Sequence, residues 1–193
     1  HPISLLGSDN WGGMGVTLVD SLDTLWILGL KKEFDEARDW VANKLTFSNA
    51  GTVSVFETTI RELGGLLSAY DLSGDKIFLD KAQQLGDRLL PAFATSSGIA
   101  SGQVDLRSGH TSNGWAGSSA ILSEMGSLQL EFRNLAKYSG KAHYEEKSMR
   151  GMQFIRPLMP KNGLLGIKID IASGRAVDST VTFGALGDSF YEY

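Results

Sequence analysis

Apolar positions along this chain recur at helical spacing far more often than they alternate. Between residues 53 and 70, Phe56, Ile60, Leu63, Leu67 and Tyr70 share one face and predict a helix. Its second face reads Glu57, Arg61, Gly64 and Ser68. An internal Gly costs about 1 kcal/mol relative to Ala, so Gly64-Gly65 predicts a neighbour packed close against that face. Residues 15–30 read as a helix buried on nearly all sides, with Leu18, Leu22 and Leu25 on one stripe and Val16, Val19, Trp26, Ile27 and Leu30 filling most of the rest. Only Asp20 and Asp23 interrupt it. Residues 119–139 carry Leu122, Met125, Leu128, Phe132 and Leu135 on one stripe and Glu124, Ser127, Glu131 and Tyr138 on another. The stretch 182–193 places Phe183, Leu186 and Phe190 at helical spacing, with Asp188 and Glu192 four apart, and predicts a helix to the last residue.

Between these lie plainer segments with a single apolar stripe. Residues 33–45 use Phe34, Ala37, Val41 and Leu45; residues 75–90 use Phe78, Ala82, Leu85 and Leu89; residues 141–155 use Tyr144, Ser148, Met152 and Ile155. Charges fill their other positions, as on surface helices. Two-sided and one-sided helices therefore alternate, and the turns at Ser73-Gly74-Asp75 and Ser139-Gly140 predict helix hairpins. The loop 96–117 is rich in Gly and Ser. In the loop 163–181 the alternation Leu165, Ile167, Ile169 and the Ser173-Gly174 turn predict a small β-hairpin. The pattern predicts an all-α fold with little sheet, its inner helices lining a central cavity and its outer ones shielding them. Three and a half hairpins leave such a ring open, so the chain reads as part of a longer domain.

Composition narrows the function. At 193 residues, 42% apolar and 21% charged, the chain has the makeup of a folded domain with a sizeable core. Lys plus Arg number 18 against 22 for Asp plus Glu, and the net charge of −4 offers no basic footprint for nucleic acid or an anionic membrane. No apolar stretch approaches the roughly 20 residues that span a bilayer, and no signal-like leader opens the chain. There are no cysteines, which removes disulfides and thiol catalysis.

The candidate chemistry lies on the inner helices, each of which brings at least one carboxylate to a sheltered setting: Asp20, Glu57, Glu124 and Asp188. Carboxylates held apart in a cavity can have their pKa values pushed in different directions, giving the acid and base that glycosidic bond hydrolysis uses. Arg61, one turn after Glu57, can hold that acid ionised or grip a sugar hydroxyl. Taken singly, each acid reads first as a satisfied structural group; the four together on inner helices weigh evenly against that. Other signals are weaker. His1, His110 and His143 lack metal-ligand spacing and read as surface residues. Asp178-Ser179 and Asp188-Ser189 lack a nucleophile elbow. Gly12-Gly13-Met14-Gly15 lacks the Lys-Ser/Thr pair of a phosphate loop. Of the four tryptophans, Trp115 in its Gly-rich loop is the best candidate for a sugar platform.

Longer motifs carry a resemblance. The runs Gly15-Val-Thr-Leu-Val-Asp-Ser-Leu-Asp-Thr-Leu-Trp-Ile-Leu-Gly-Leu30, Val55-Phe-Glu-Thr-Thr-Ile-Arg-Glu-Leu-Gly-Gly-Leu-Leu-Ser-Ala-Tyr70, Leu85-Gly-Asp-Arg-Leu-Leu90, Gly126-Ser-Leu-Gln-Leu-Glu-Phe-Arg133 and Gly187-Asp-Ser-Phe-Tyr-Glu-Tyr193 closely resemble the class I α-1,2-mannosidases of glycoside hydrolase family 47. The resemblance implies an (α/α)7 barrel, a calcium ion at the base of the pocket, and inverting removal of terminal α-1,2-linked mannose from high-mannose N-glycans in the secretory pathway, in the endoplasmic reticulum or Golgi lumen or after secretion. It makes Glu57 the general acid acting through a water and Asp188 a second essential carboxylate. Asp20, Arg61, Glu124 and Glu192 match residues of the mannose subsites or water network. Leu186 stands where endoplasmic-reticulum types carry Arg and broader-trimming Golgi and secreted types carry a smaller or apolar residue. The catalytic base and the calcium-binding threonine belong to the family's C-terminal half. Residues 1–193 are thus expected to be the N-terminal portion of one catalytic domain, cut short at its C-terminal end, inactive alone and holding no calcium ligand of their own. A mannosidase-like glycan-binding protein of glycoprotein quality control, and a non-catalytic helical scaffold, are the alternatives. The inner-helix acids argue against a scaffold, which gains nothing by burying them.

Overall fold

The computed structural model describes residues 2–9 and 11–193; the surface placement expected of His1 lies outside them. The chain forms ten short to medium α-helices joined by turns and two small antiparallel sheets among these residues. The single-stripe helices match the sequence pattern closely. In α3 (Lys31–Asn43), Phe34, Ala37 and Val41 are buried. In α6 (Lys76–Leu89), Phe78, Ala82, Leu85 and Leu89 are buried, and the Asp75 carboxylate caps the helix by accepting from the Ile77 N–H at 3.1 Å. In α9 (His143–Ile155), Tyr144, Ser148 and Ile155 are buried, but Gly151 takes the place expected of Met152. A Cβ on Gly151 would lie 2.8 Å from the Gly98 carbonyl oxygen, so only a bare backbone fits there.

The two-sided segments depart from the continuous helices expected of them. Residues 15–30 split into α1 (Val16–Asp20) and α2 (Leu22–Ile27), broken where Ser21 turns its hydroxyl and N–H back on the Leu18 carbonyl. This segment is also less buried than its composition suggests. Val19 and Leu22 are fully enclosed, whereas Ile27 is 71% and Leu28 66% exposed. Residues 53–70 begin as strand β1 (Thr52–Ser54) and turn helical only at α4 (Val55–Glu57). A π-helical turn (Thr58–Leu63) and α5 (Gly64–Ser73) complete the segment. Residues 119–139 likewise begin as a strand, Ser119–Ile121, followed by α7 (Leu122–Gly126) and α8 (Gln129–Ser139). At the end of the chain only α10 (Asp188–Glu192) is helical. Residues 182–187 are instead folded back so tightly that a Cβ on Gly187 would lie 2.3 Å from the Thr182 carbonyl oxygen. Leu186 there takes the left-handed conformation at φ 75°, which a helix does not allow.

The loops supply the sheet. Strand β1 pairs with β2 (Gln103–Asp105), which pairs with β3 (Thr111–Ser112). Strand β4 (Ser119–Ile121) pairs with β5 (Lys168–Asp170), and a bridge from Ile169 to Ala176 closes the hairpin expected at 163–181. The two hairpin turns are built alike. Asp105 accepts from the Ser108 N–H and hydroxyl, and Asp170 does the same from Ser173. Each turn ends on a Gly, Gly109 or Gly174, whose N–H returns to the Asp carbonyl at 2.8 Å.

Helices α2, α5 and α8 lie side by side, while α3 and α6 pack behind them and α9 behind α8. Most of the core lies between these layers, around Phe34, Leu66, Phe78, Leu85, Phe132 and Tyr144. A second, smaller apolar cluster holds Ile99, Leu122, Met125, Leu165 and Ile169, with Phe190 and Tyr191 of α10 packed against it.

Candidate active site

The site starts where strand β1 becomes helix. Ser54, still extended, accepts from the Glu57 N–H at 3.2 Å and so caps the helix that places Glu57 in its first turn. The π-helical turn follows at once. Within it Arg61 reaches back, its Nε 2.7 Å from Glu57 Oε2 and its Nη1 3.5 Å from Asp20 Oδ2. The hydrogen bond that Arg61 donates to Glu57, with the charges of Glu57 and Asp20, holds the guanidinium above its ordinary pKa. All three side chains are between 36% and 44% exposed, so these ion pairs contribute little stability. Their effect is to fix orientation. Asp20 and Arg61 open onto a groove of about 450 Å³ lined also by Trp11, Thr17, Ser21 and Thr24.

Glu124 joins this group from α7. Burial, with the charge of Glu57 adding to it, pushes its carboxyl up from the ordinary value. A Cβ on Gly102 would lie 3.2 Å from its Oε2, so the loop backbone closes over that side. Asp20, Glu57, Arg61 and Glu124 thus form one electrostatic cluster. Asp188 and Glu192 sit at the two ends of α10, and no ion pair links them to Arg61 among the described residues. Their helix reaches the cluster through α7. Phe190 packs so closely on Gly126 that a Cβ there would lie 2.3 Å from its ring, and the Ser123 N–H donates to the Leu186 carbonyl at 3.0 Å. The backbone of Leu186 is therefore tied down while its side chain is half-buried.

Several weaker sequence signals resolve into packing. A Cβ on Gly12 would strike Ala50, and one on Gly15 would strike Trp40, so Gly12 and Gly15 serve close packing. Gly65 does the same on the inner face, where its Cβ would lie 2.6 Å from the Val19 carbonyl oxygen. This is the close neighbour that Gly64-Gly65 required. Trp115 is exposed, but the Lys168 ammonium sits 4.8 Å from its ring centroid.

Glu62 escapes a reading by periodicity. It is 0% exposed in the π-helical turn beside Thr58 and Thr59, also 0% exposed, and its carboxylate oxygens and both threonine hydroxyls lack hydrogen-bond partners. Burial, and then the charge of Asp20, pushes its carboxyl up to about 8. A signal is nonetheless present, since Val55, Thr59, Glu62, Leu66 and Ala69 form a buried stripe at helical spacing with polar residues at two of its positions. Glu131 is a second such group, 7% exposed and pushed by burial up to about 7.

Comparison with known proteins places these residues in context. The sequence profile of glycosyl hydrolase family 47 matches residues 1–193. The mannosyl-oligosaccharide 1,2-alpha-mannosidase MNS1 of Arabidopsis thaliana is 50% identical over 189 residues, covering 97% of this chain and 34% of that protein. The human endoplasmic reticulum mannosyl-oligosaccharide 1,2-alpha-mannosidase is 46% identical, covering 100% of this chain and 28% of its own length. Among solved structures, an alpha-1,2-mannosidase from Trichoderma reesei superposes with a TM-score of 0.90 at 32% identity, over 100% of this chain and 43% of that one. The chain spans about a third of the length of the curated relatives it matches.

Proposed function

The chain belongs to glycosyl hydrolase family 47, and from that premise we propose that it works within a longer catalytic domain that removes terminal α-1,2-linked mannose from high-mannose N-glycans with inversion. The names of the plant and human relatives support that substrate class. In this reading residues 1–193 are the N-terminal portion of the domain, and their helix hairpins are part of an (α/α)7 barrel. The name of the human relative supports a place in the secretory pathway, in the endoplasmic reticulum or Golgi lumen. The observation that carries the reading is the chain of contacts from Asp20 through Arg61 to Glu57, open to a groove and flanked by half-buried Glu124.

Hydrolysis breaks the bond between the anomeric carbon and the glycosidic oxygen. The leaving oxygen takes a proton, the anomeric carbon takes the oxygen of a water whose proton passes to the catalytic base, which the resemblance places in the family's C-terminal half, and positive charge builds on the ring in the transition state. Glu57 supplies the proton through a water, with Arg61 fixing the plane of its carboxyl through Oε2. Asp188 is the second essential carboxylate. Asp20, Glu124 and Glu192 accept from sugar hydroxyls and favour the developing positive charge, Arg61 donates to them, and Leu186 shapes the subsite that sets how many mannoses are trimmed. The described residues contain no group of three or more His, Cys, Asp or Glu able to hold a metal ion. They do not by themselves fit calcium, whose threonine ligand the resemblance assigns to another part of the family, and no step above runs through it.

The test is Glu57→Gln in the family-length enzyme, assayed with calcium on an α-1,2-linked mannose disaccharide. Turnover should fall about 10²–10⁴-fold with binding retained, as for loss of a general acid. Unchanged turnover removes Glu57 from the mechanism, and a wild type that binds the glycan without cleaving it favours the glycan-binding alternative. Residues 1–193 expressed alone should release no mannose.

A further inference from the structure

None of the residues of α10 is fully buried. Its position, and with it that of Asp188 and Glu192, is set by what its other side chains hold. Phe190 rests on Gly126, and the Tyr191 hydroxyl accepts from the Leu165 N–H at 3.1 Å. Both partners lie at the smaller apolar cluster, so these contacts fix α10 to its immediate surroundings. A third contact goes elsewhere: the Tyr193 hydroxyl donates to Glu131 Oε1 at 3.0 Å.

Glu131 belongs to the main core. It stands in the first turn of α8 beside Phe132, which is 0% exposed, and its side chain lies against α5. A Cβ on Gly64 would be 3.7 Å from its Cγ and 3.9 Å from its Oε1. Gly64 follows Arg61 by three residues on the same helical face. One carboxyl therefore touches the helix that carries Glu57 and Arg61 and also the tyrosine that ends the Asp188 helix. Its burial is costly, and its second oxygen has no hydrogen-bond partner. An apolar side chain would serve packing alone better. What it gains is a directional bond to the hydroxyl of the residue that follows α10.

We propose that Glu131 is a positioning residue, which by accepting the Tyr193 hydrogen bond sets the placement of Asp188 and Glu192 relative to Glu57 and Arg61. This rests on the hydrolase reading above. It is tested in the family-length enzyme with the mannose disaccharide and, independently of activity, by amide hydrogen exchange. Tyr193→Phe removes one oxygen at the edge of the fold. It should lower kcat about 10–100-fold, the scale on which small misplacements act, and speed exchange over residues 188–193 while leaving α3 and α6 unchanged. Glu131→Leu should match it, and the double variant should be no slower than the slower single one, since both remove one bond. Glu131→Gln keeps an accepting oxygen and should hold kcat within about threefold of wild type. Wild-type kcat with wild-type exchange in Tyr193→Phe overturns the proposal. Multiplying effects in the double variant, or Glu131→Gln as slow as Glu131→Leu, also overturn it. If the wild type cleaves no mannose, the hydrolase reading fails, and exchange in Tyr193→Phe alone decides whether this bond holds α10. If Glu131→Leu does not fold, Tyr193→Phe and Glu131→Gln carry the test.

Discussion

Glu57 and Asp188 are held in place in opposite ways. Glu57 lies in the first turn of a helical segment in which Thr58, Thr59, Glu62 and Leu63 are 0% exposed, and which presses Gly65 onto the backbone of α1. Asp188 starts a helix with no fully buried residue among those described, reached through a tight turn whose Leu186 has a left-handed backbone. The first carboxylate is fixed by the same packing that folds the chain. The second depends on a few contacts that can change without unfolding anything. Mutations around Glu57 should therefore register first as lost stability, and mutations around Asp188 first as lost turnover.

The largest test of that contrast pairs two aromatic truncations in the family-length protein. Phe132→Ala, in the main core, should cost about 3–5 kcal/mol in denaturant unfolding. Phe190→Ala, on half-buried α10, should cost about 1–2 kcal/mol yet lower kcat the more. Equal stability losses would dissolve the contrast. Next in size are two glycines. Gly65→Ala brings a Cβ to 2.6 Å from a backbone oxygen of α1, which can move only with its helix, and should cost about 1–3 kcal/mol. Gly126→Ala meets the Phe190 ring at 2.3 Å, and a side-chain ring can turn aside where a backbone oxygen cannot. Its thermal midpoint should fall less than that of Gly65→Ala, and its kcat further.

A further effect depends on pH. Glu62 is raised by burial from an ordinary 4.5 to about 8 in the folded chain. Between those values the unfolded chain has released the proton and the folded chain still holds it, so the Glu62 contribution to stability falls as pH rises and levels off above about 8. Glu62→Gln cannot ionise. Its stability relative to wild type should therefore climb from near parity at pH 4.5 to a gain on the order of 4 kcal/mol at pH 8. Urea melts at the two pH values measure this, and a difference that does not change with pH would place the Glu62 carboxyl outside the buried stripe.

Helices with one apolar stripe were legible in the sequence because a single buried face leaves a single period. The positions of Phe34, Phe78 and Tyr144 could be read directly. The two-sided segments were not, since both of their faces are apolar and periodicity cannot show where they stop. The breaks at Ser21 and in 182–187 come from hydroxyl and carbonyl contacts that carry no hydrophobic signal. Strands β1 and β4 were absorbed into the predicted helices because three residues are too few to establish a period of two. Of the candidate site, the approach of Arg61 to Glu57 follows from their spacing along one helix. The addition of Asp20 and Glu124 depends on how α1 and α7 pack. Glu62 was hidden because a carboxylate in an apolar stripe reads as the edge of the stripe.

The π-helical turn also bears on how this segment tolerates changes in chain length. Its hydrogen bonds run to the fifth residue along, so it stores one residue more than an α-turn would. Removing one residue between Thr58 and Leu63 lets the segment close into ordinary helix without rotating α5. Gly65 then stays opposite Val19, and Leu66 and Ala69 stay in the core. The geometry between Glu57, Arg61 and Glu62 does not survive the same deletion. Deleting a single residue at this one turn can thus rewrite the chemistry while leaving the scaffold in phase.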